Sequence, residues 1–182
     1  PMADTTQIGP VISKASQDRC KRMIATAKAD GAVQVAGASD PNLPAPFDQG
    51  FYIRPTVFKD VRPEQELFLE EVFGPVISIT PFDTEEEALA LANMGTFGLG
   101  VSIWSRDIAR AHRLSLGIRG GVVWLNDHHR NDPRSIWGGV RDSGFGKENG
   151  WDALKAYMTK KSVIVRTAQG HDDWFAGSNR YG

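Results

Sequence analysis

The sequence predicts an α/β fold in which helices cover a parallel sheet. Strand-like and helical segments alternate in its middle: a helix at 84–94, a strand at 98–104, a helix at 107–116 and a strand at 121–125. Thr84 and Glu87 form a capping box that opens the first helix, and Gly117 suits the end of the second. Strands joined through a helix run parallel, and ligands usually bind at their carboxyl ends.

The first part of the chain adds one helix and three strands. Apolar residues recur on one helical face between Ser16 and Gly31, and the glycine suits the end of a helix. That face comprises Cys20, Met23, Ile24 and Ala27. Strands are predicted at 33–35, 51–58 and 72–79, and a proline-rich surface loop at 38–50 separates the first two.

After Asn126 the sequence becomes polar and rich in glycine up to Gly150, which is typical of a functional loop. A helix at 147–157 and a strand at 162–166 are predicted next. The remaining tail is polar except for Trp174 and Phe175, so we expect it to lie on a surface or against a partner.

Composition indicates a soluble globular protein. Hydrophobic residues make up 41% of the 182 residues and charged residues 24%, and the net charge is −1, so no overall field attracts nucleic acid or a membrane surface. No apolar run approaches the roughly 20 residues of a membrane helix. The single cysteine, Cys20, excludes an internal disulfide and fits a reducing cytoplasm.

Residues 70–75 (EEVFGP) are a first candidate for a ligand site. The carboxylate of Glu71 is suited to accept hydrogen bonds from the two hydroxyls of a ribose. Phe73 is suited to pack against a flat heterocycle. The alternative, which spacing alone favours, is a surface carboxylate followed by a core phenylalanine.

The glycine-rich segment 143–150 is a second candidate, with Glu148 at the start of a helix. Its glycines either let the backbone approach a ligand or simply form a turn before the helix, and spacing favours the turn. It is not a dinucleotide fingerprint, because its third glycine comes one residue late and no strand immediately precedes it.

Two other features are better explained without a site. His128, His129 and Asp132 lie in one loop, but adjacent histidines rarely converge on one ion, so we predict no metal site. Cys20 has basic neighbours that would lower its pKa, yet its place on an apolar helical face favours a buried structural thiol.

Six short motifs resemble the aldehyde dehydrogenase superfamily, in the family's order. They are 8–13 (IGPVIS), 52–58 (YIRPTVF), 70–76 (EEVFGPV), 98–107 (GLGVSIWSRD), 121–127 (GVVWLND), and 137–139 (WGG) followed by 143–148 (SGFGKE). One motif alone is weak, but six at the family's spacing are specific. The resemblance extends to about Thr167. It implies that residues 1–160 are the C-terminal part of a catalytic domain and 161–182 an oligomerisation strand and tail.

The resemblance implies an enzyme that oxidises an aldehyde to a carboxylic acid with NAD or NADP. In the family a cysteine thiolate adds to the carbonyl, hydride passes to the nicotinamide, and a water activated by a glutamate hydrolyses the thioester. The expected partners are a small-molecule aldehyde and further copies of the chain, as a cytoplasmic dimer or tetramer, with neither nucleic acid nor membrane.

The resemblance also assigns roles to individual residues. The glutamate matching Glu71 binds the nicotinamide ribose, and the aromatic residue matching Phe73 packs beside the nicotinamide. The acid matching Glu148 lies behind the general base, holding it or relaying its proton. The loop residues that line the aldehyde tunnel match His129, Asn131 and Trp137. The strand matching 162–166 joins the sheet that holds the oligomer together.

The sequence departs from the family pattern in three ways. Lys147 stands where arginine is commoner, which loses a bidentate donor. Trp137, preceded by Ile136, stands where Pro-Phe is commoner, and it enlarges the aromatic surface of the tunnel. The resemblance places the family's nucleophile segment, general base and cofactor domain upstream of Pro1, and Cys20 does not match the nucleophile.

We therefore expect a fragment of a longer enzyme, inactive on its own. The alternative is a naturally short binding or assembly module that keeps the fold without the chemistry. The mass of the source protein distinguishes them: roughly 50 kDa for an enzyme and roughly 20 kDa for a module.

Overall fold

In the computed structural model, residues 3–37, 41, 43–167 and 170 are described, and short helices and strands alternate along them. The helices are α1 (Lys14–Ala29), α2 (Glu66–Leu69), α3 (Glu85–Ala92), α4 (Ile108–Gly117) and α5 (Gly150–Ala156). The strands are β1 (Val33–Ala36), β2 (Thr56–Lys59), β3 (Val76–Ile79), β4 (Gly100–Ile103) and β5 (Val122–Leu125). The predicted α/β class is confirmed. None of the described helices is long and apolar enough to cross a membrane.

The strands form two sheets where the sequence predicted one. The first has the order β1-β2-β3, and the second consists of β4 and β5. The pair β4–β5 is parallel, as predicted, with Gly100 opposite Val122. β2 and β3 are also parallel, with Thr56 opposite Val76, but β3 does not share a sheet with β4 as the alternation of strands and helices predicted. β1 is antiparallel to β2, because a loop rather than a crossover helix joins them.

The main core lies between α1 and the first sheet. Cys20 and Met23 of α1 pack with Phe58 of β2, and all three are almost fully buried. Ser13 caps the helix by accepting a hydrogen bond from the Ser16 amide at 3.1 Å. At the other end, the amides of Gly31 and Ala32 return to the last turn, as in a Schellman motif.

Most of the regular elements are shorter than predicted, although β1 is one residue longer. β2 and β3 begin directly after Pro55 and Pro75, which have no amide hydrogen for a ladder. The residues before β3 include a left-handed Phe73, with φ of 57°, which interrupts the extended backbone. α5 begins three residues later than predicted, after a left-handed Asn149.

The strand predicted at 162–166 is not formed within this single chain, and its pairing with another copy stays a prediction. These residues have no regular secondary structure. Val163, Ile164 and Val165 are 75%, 92% and 74% exposed. A strand needs a hydrogen-bonding neighbour, and no described residue of this chain supplies one here. Trp174 and Phe175 of the predicted tail lie outside the described residues.

Candidate functional site

A turn between α2 and β3 displays the first two candidate residues. Along 71–73 the side chains alternate: Glu71 is exposed, Val72 is buried at 8% exposure, and Phe73 is 79% exposed. The interpretation of Phe73 as a core residue is therefore wrong. Its left-handed backbone conformation is uncommon for a bulky residue, and strain of this kind concentrates at functional sites.

Helix α1 supports this turn from below. A methyl group built on Gly74 would lie 2.4 Å from Cys20 Sγ, so glycine is what lets the turn approach the helix. Cys20 is completely buried, and burial raises the pKa of its thiol, with the charge of Arg19 acting in the opposite direction. The prediction of a buried structural thiol is confirmed.

A cleft of about 630 Å³ opens beside the turn. Its lining includes Glu70 and Glu71 of the turn, and Leu99 and Gly100 at the start of β4. Glu71, whose carboxylate can accept hydrogen bonds from ribose hydroxyls, lines this open cleft, and the exposed ring of Phe73, which suits a flat base, lies two residues further along the turn. The residues present fit one end of a nicotinamide cofactor.

Four aromatic rings form a second group after β5, which we call the ring cluster: Trp124, His128, His129 and Trp137. The Trp124 and Trp137 centroids are 5.9 Å apart, and His129 lies 6.2 Å from each, stacked on Trp124 and edge-on to Trp137. Trp124 is buried, whereas Trp137 is only half-buried. The cluster therefore has a fixed base and a partly open side.

Hydrogen bonds fix the base of the ring cluster. Trp124 Nε1 donates to the Arg130 carbonyl at 2.8 Å, which pulls the loop back over the strand. Asn126, left-handed with φ of 52°, bonds through its side chain to both the amide and the carbonyl of Ser105, at 2.8 and 2.9 Å. The Ser102 hydroxyl lies 2.8 Å from His128 Nδ1.

A backbone bridge joins Trp137 to Glu148. The amide of each donates to the carbonyl of the other at 2.7 Å, as an isolated antiparallel pair. The chain between these two residues forms a loop. The amine of Lys147 closes this loop by donating a hydrogen bond to the carbonyl of Gly139. Two backbone hydrogen bonds thus connect a residue predicted to line the tunnel with one predicted to act in proton transfer.

The model of the aldehyde dehydrogenase family matches residues 1–163. The chain belongs to this family.

Known aldehyde dehydrogenases agree in sequence. A betaine aldehyde dehydrogenase of Agrobacterium fabrum is 40% identical over 169 residues, 93% of this chain and 34% of that protein. The chloroplastic aminoaldehyde dehydrogenase ALDH10A8 of Arabidopsis thaliana is 37% identical over 179 residues, 98% of this chain and 35% of that protein. The chain thus spans about a third of the length of these relatives.

Solved aldehyde dehydrogenases agree in fold. A betaine aldehyde dehydrogenase of Staphylococcus aureus, in complex with NAD⁺, superposes with a TM-score of 0.88 at 34% identity, over 96% of this chain and 34% of that one. An aldehyde dehydrogenase of Mycobacterium tuberculosis, complexed with NAD⁺, gives 0.85 at 38% identity, over 94% and 35%.

Within this aldehyde dehydrogenase chain, the predicted site residues fall into two groups. Glu71 and Phe73 share the turn, while His129 and Trp137 belong to the ring cluster; no hydrogen bond or ring contact joins the groups in the part of the chain described. Asn131 is exposed, and among the described contacts none ties its side chain to the cluster. Trp124 was not singled out from the sequence, although it lies near the carboxyl end of a strand, where ligands usually bind, and it contacts the other three rings of the cluster.

Among the described residues, no three His, Cys, Asp or Glu side chains are placed to share an ion. Asp132, considered above beside His128 and His129, instead accepts hydrogen bonds from the Arg134 guanidinium at 2.9 and 3.1 Å. Arg134 holds the pKa of Asp132 below its usual range.

Proposed function

We propose that this chain is the C-terminal third of a longer NAD(P)-dependent aldehyde dehydrogenase, to which it contributes cofactor-positioning and substrate-facing residues. The observation that carries the proposal is the turn, which buries Val72, places exposed Glu71 in the lining of a cleft and leaves the ring of Phe73 exposed beside it in sequence. The share of its relatives' length that the chain spans also supports a longer enzyme over a naturally short module.

NAD(P), when bound, accepts the hydride from the thiohemiacetal that the aldehyde forms with the enzyme's cysteine. The role of this chain is to hold the cofactor in place. The carboxylate of Glu71 accepts hydrogen bonds from the ribose hydroxyls, and charge makes those bonds stronger than neutral ones. The ring of Phe73 gives the nicotinamide a flat surface and keeps water from one face of it.

Glu148 takes part in the proton transfer of the hydrolysis step. We propose that Glu148 assists a second glutamate, the general base of the complete enzyme. Glu148 either holds the carboxylate of that glutamate in place or receives its proton after hydrolysis. Support comes from its exposed position and from the backbone bridge to Trp137, which ties it to the substrate side.

The substrate that suits the ring cluster is a cationic aldehyde. The centroids of two indole rings and one imidazole lie within 6.2 Å of one another, and aromatic faces attract ammonium groups. The two arginines of the adjacent loop are paired with their own acids, Arg130 with Asp127 at 3.9 Å and Arg134 with Asp132 at 2.9 Å. The names of the relatives above, betaine aldehyde and aminoaldehyde dehydrogenases, point to the same class.

In the complete enzyme, we expect Trp137→Ala to lower kcat/KM for betaine aldehyde by about three- to thirtyfold. The loss corresponds to a cation–π contact of about 0.5–2 kcal/mol. Propionaldehyde, which is small and neutral, should lose less than about threefold. Trp151→Ala, which truncates an exposed indole on α5 outside the ring cluster, is the matched control. Equal losses on the two aldehydes would mean that Trp137 serves only as scaffold.

The chain by itself should oxidise no aldehyde, because its single thiol is buried in the core beneath the turn. The measurement is NADH formation from betaine aldehyde with the isolated chain. In the complete enzyme, Cys20→Ala should leave turnover within about twofold, since it removes no reacting group. NAD-dependent oxidation by the isolated chain that Cys20→Ala abolishes would overturn the assignment.

Assembly and compartment complete the proposal. The exposed run Val163–Ile164–Val165 has the composition of a strand awaiting a neighbour, so residues 161–182 would join another copy of the protein in a dimer or tetramer. We propose the cytoplasm as the compartment, since the chain has a single, reduced cysteine; the Arabidopsis relative is named as chloroplastic.

A further inference from the structure

We propose that Arg19 of α1 is a positioning residue for the cofactor: it fixes the backbone of Glu71 so that the carboxylate faces the ribose. The inference rests on the proposed function above. It concerns a residue on a different element from the turn, outside all the motifs by which the chain resembles its family.

Arg19 reaches the turn through its guanidinium. Nη2 donates to the carbonyl of Glu71 at 2.6 Å and lies 3.7 Å from Glu70 Oε2. The contact engages the main chain of Glu71, so it leaves the carboxylate available for a ligand. A hydrogen bond from a charged donor to a carbonyl is worth about twice a neutral one.

The position of this bond explains its effect. The carbonyl of Glu71 belongs to the peptide that leads into buried Val72, and left-handed Phe73 follows directly. Fixing that peptide plane fixes the direction in which the side chain of Glu71 points. Glu71 lies two residues before the strained position, Phe73. The core contacts of Cys20 and Val72 hold the turn against α1, while Arg19 sets the orientation of the turn's backbone.

Arg19 is not needed to hold the fold together. Its side chain is 44% exposed and contributes nothing to the core cluster. Arg22, one turn further along the same helix, is a close counterpart: it is also exposed, and it forms a bidentate pair with Glu66 of α2 at 2.8 and 2.9 Å. It does not contact the turn in any described interaction, so Arg22→Ala removes comparable charge and hydrogen bonding without touching Glu71.

The test compares Arg19→Ala, Arg19→Lys and Arg22→Ala in the complete enzyme. The readouts are the Kd for NAD⁺ by calorimetry without aldehyde, the KM for betaine aldehyde, and amide hydrogen exchange at residues 71–74. We expect Arg19→Ala to raise the Kd for NAD⁺ about five- to twentyfold, with faster exchange in the turn and an unchanged aldehyde KM. Arg19→Lys should recover part of the affinity, because one donor still reaches the carbonyl, and Arg22→Ala should stay within about twofold.

The outcomes separate the two proposals. If the wild-type enzyme binds NAD⁺ and the Arg19→Ala and Arg22→Ala enzymes have equal Kd values, the positioning role is wrong and the proposed function stands. The role is also wrong if Arg19→Ala weakens NAD⁺ and aldehyde equally with a matching fall in Tm, which is a general structural effect. A wild-type enzyme that binds neither NAD⁺ nor NADP⁺ contradicts the proposed function, and the inference with it.

Discussion

Glu71→Gln should slow hydride transfer in the complete enzyme by about ten- to a hundredfold. The amide keeps the shape of the side chain but loses the charge that strengthens its hydrogen bonds to the two ribose hydroxyls, bonds worth about 1.5–3 kcal/mol each when charged. A loss of about 1.4 kcal/mol is a tenfold loss in rate. Single-turnover measurement of NADH formation at saturating aldehyde isolates this step, and the KM for aldehyde should change little.

Glu70→Gln provides the control for that experiment. Glu70 is also exposed, is one residue away and lines the same cleft, so it tests whether any charge at this position suffices. We expect the Glu70 variant to transfer hydride within about threefold of the wild-type rate. Equal effects of the two substitutions, or no effect of Glu71→Gln, would remove the ribose role from Glu71.

Gly74→Ala should destabilise the protein by about 1–3 kcal/mol, because the added methyl group overpacks a site with no room for it. That group would lie 2.4 Å from Cys20 Sγ, far inside van der Waals contact. Urea unfolding measures the loss. Gly95→Ala is the control, since a methyl group there meets nothing within 4 Å.

The same clash predicts a specific suppressor. With Cys20→Ala the new methyl group faces the Cys20 Cβ position at 3.8 Å, an ordinary contact. The double variant should therefore be more stable than Gly74→Ala alone, although each single change is destabilising. Additive losses would show that the thiol does not set the distance between helix and turn.

Local chemistry made α1 and α3 predictable. Of the predicted apolar face of α1, Cys20, Met23 and Ala27 are buried, and Ile24 is half-buried against the core. Thr84 caps α3 by accepting from the Glu87 amide at 3.1 Å, but the Glu87 carboxylate accepts from Asp83 rather than from Thr84. Half of the capping box thus shifted by one residue, which a sequence pattern does not resolve.

The candidate site was harder to predict from the sequence, because its features depend on contacts between residues far apart in the chain. The exposed Phe73 follows from a left-handed backbone that Cys20 and Gly74 permit, and those residues are 54 positions apart by their numbers. In the sequence, Trp124 looks like an ordinary strand residue. Its place in the ring cluster depends on the loop that folds back over it. The strand at 162–166 depends on a neighbour that the sequence of one chain does not supply.

The division into two sheets bears on how the polypeptide acquires its shape during synthesis. The parallel partners Thr56 and Val76 are 20 residues apart, and Gly100 and Val122 are 22 apart. Closing loops of this length costs little entropy, and short separations favour fast folding. Each sheet can thus nucleate from its own stretch of nascent chain, so we expect the turn at 71–74 and the ring cluster to form by separate local events.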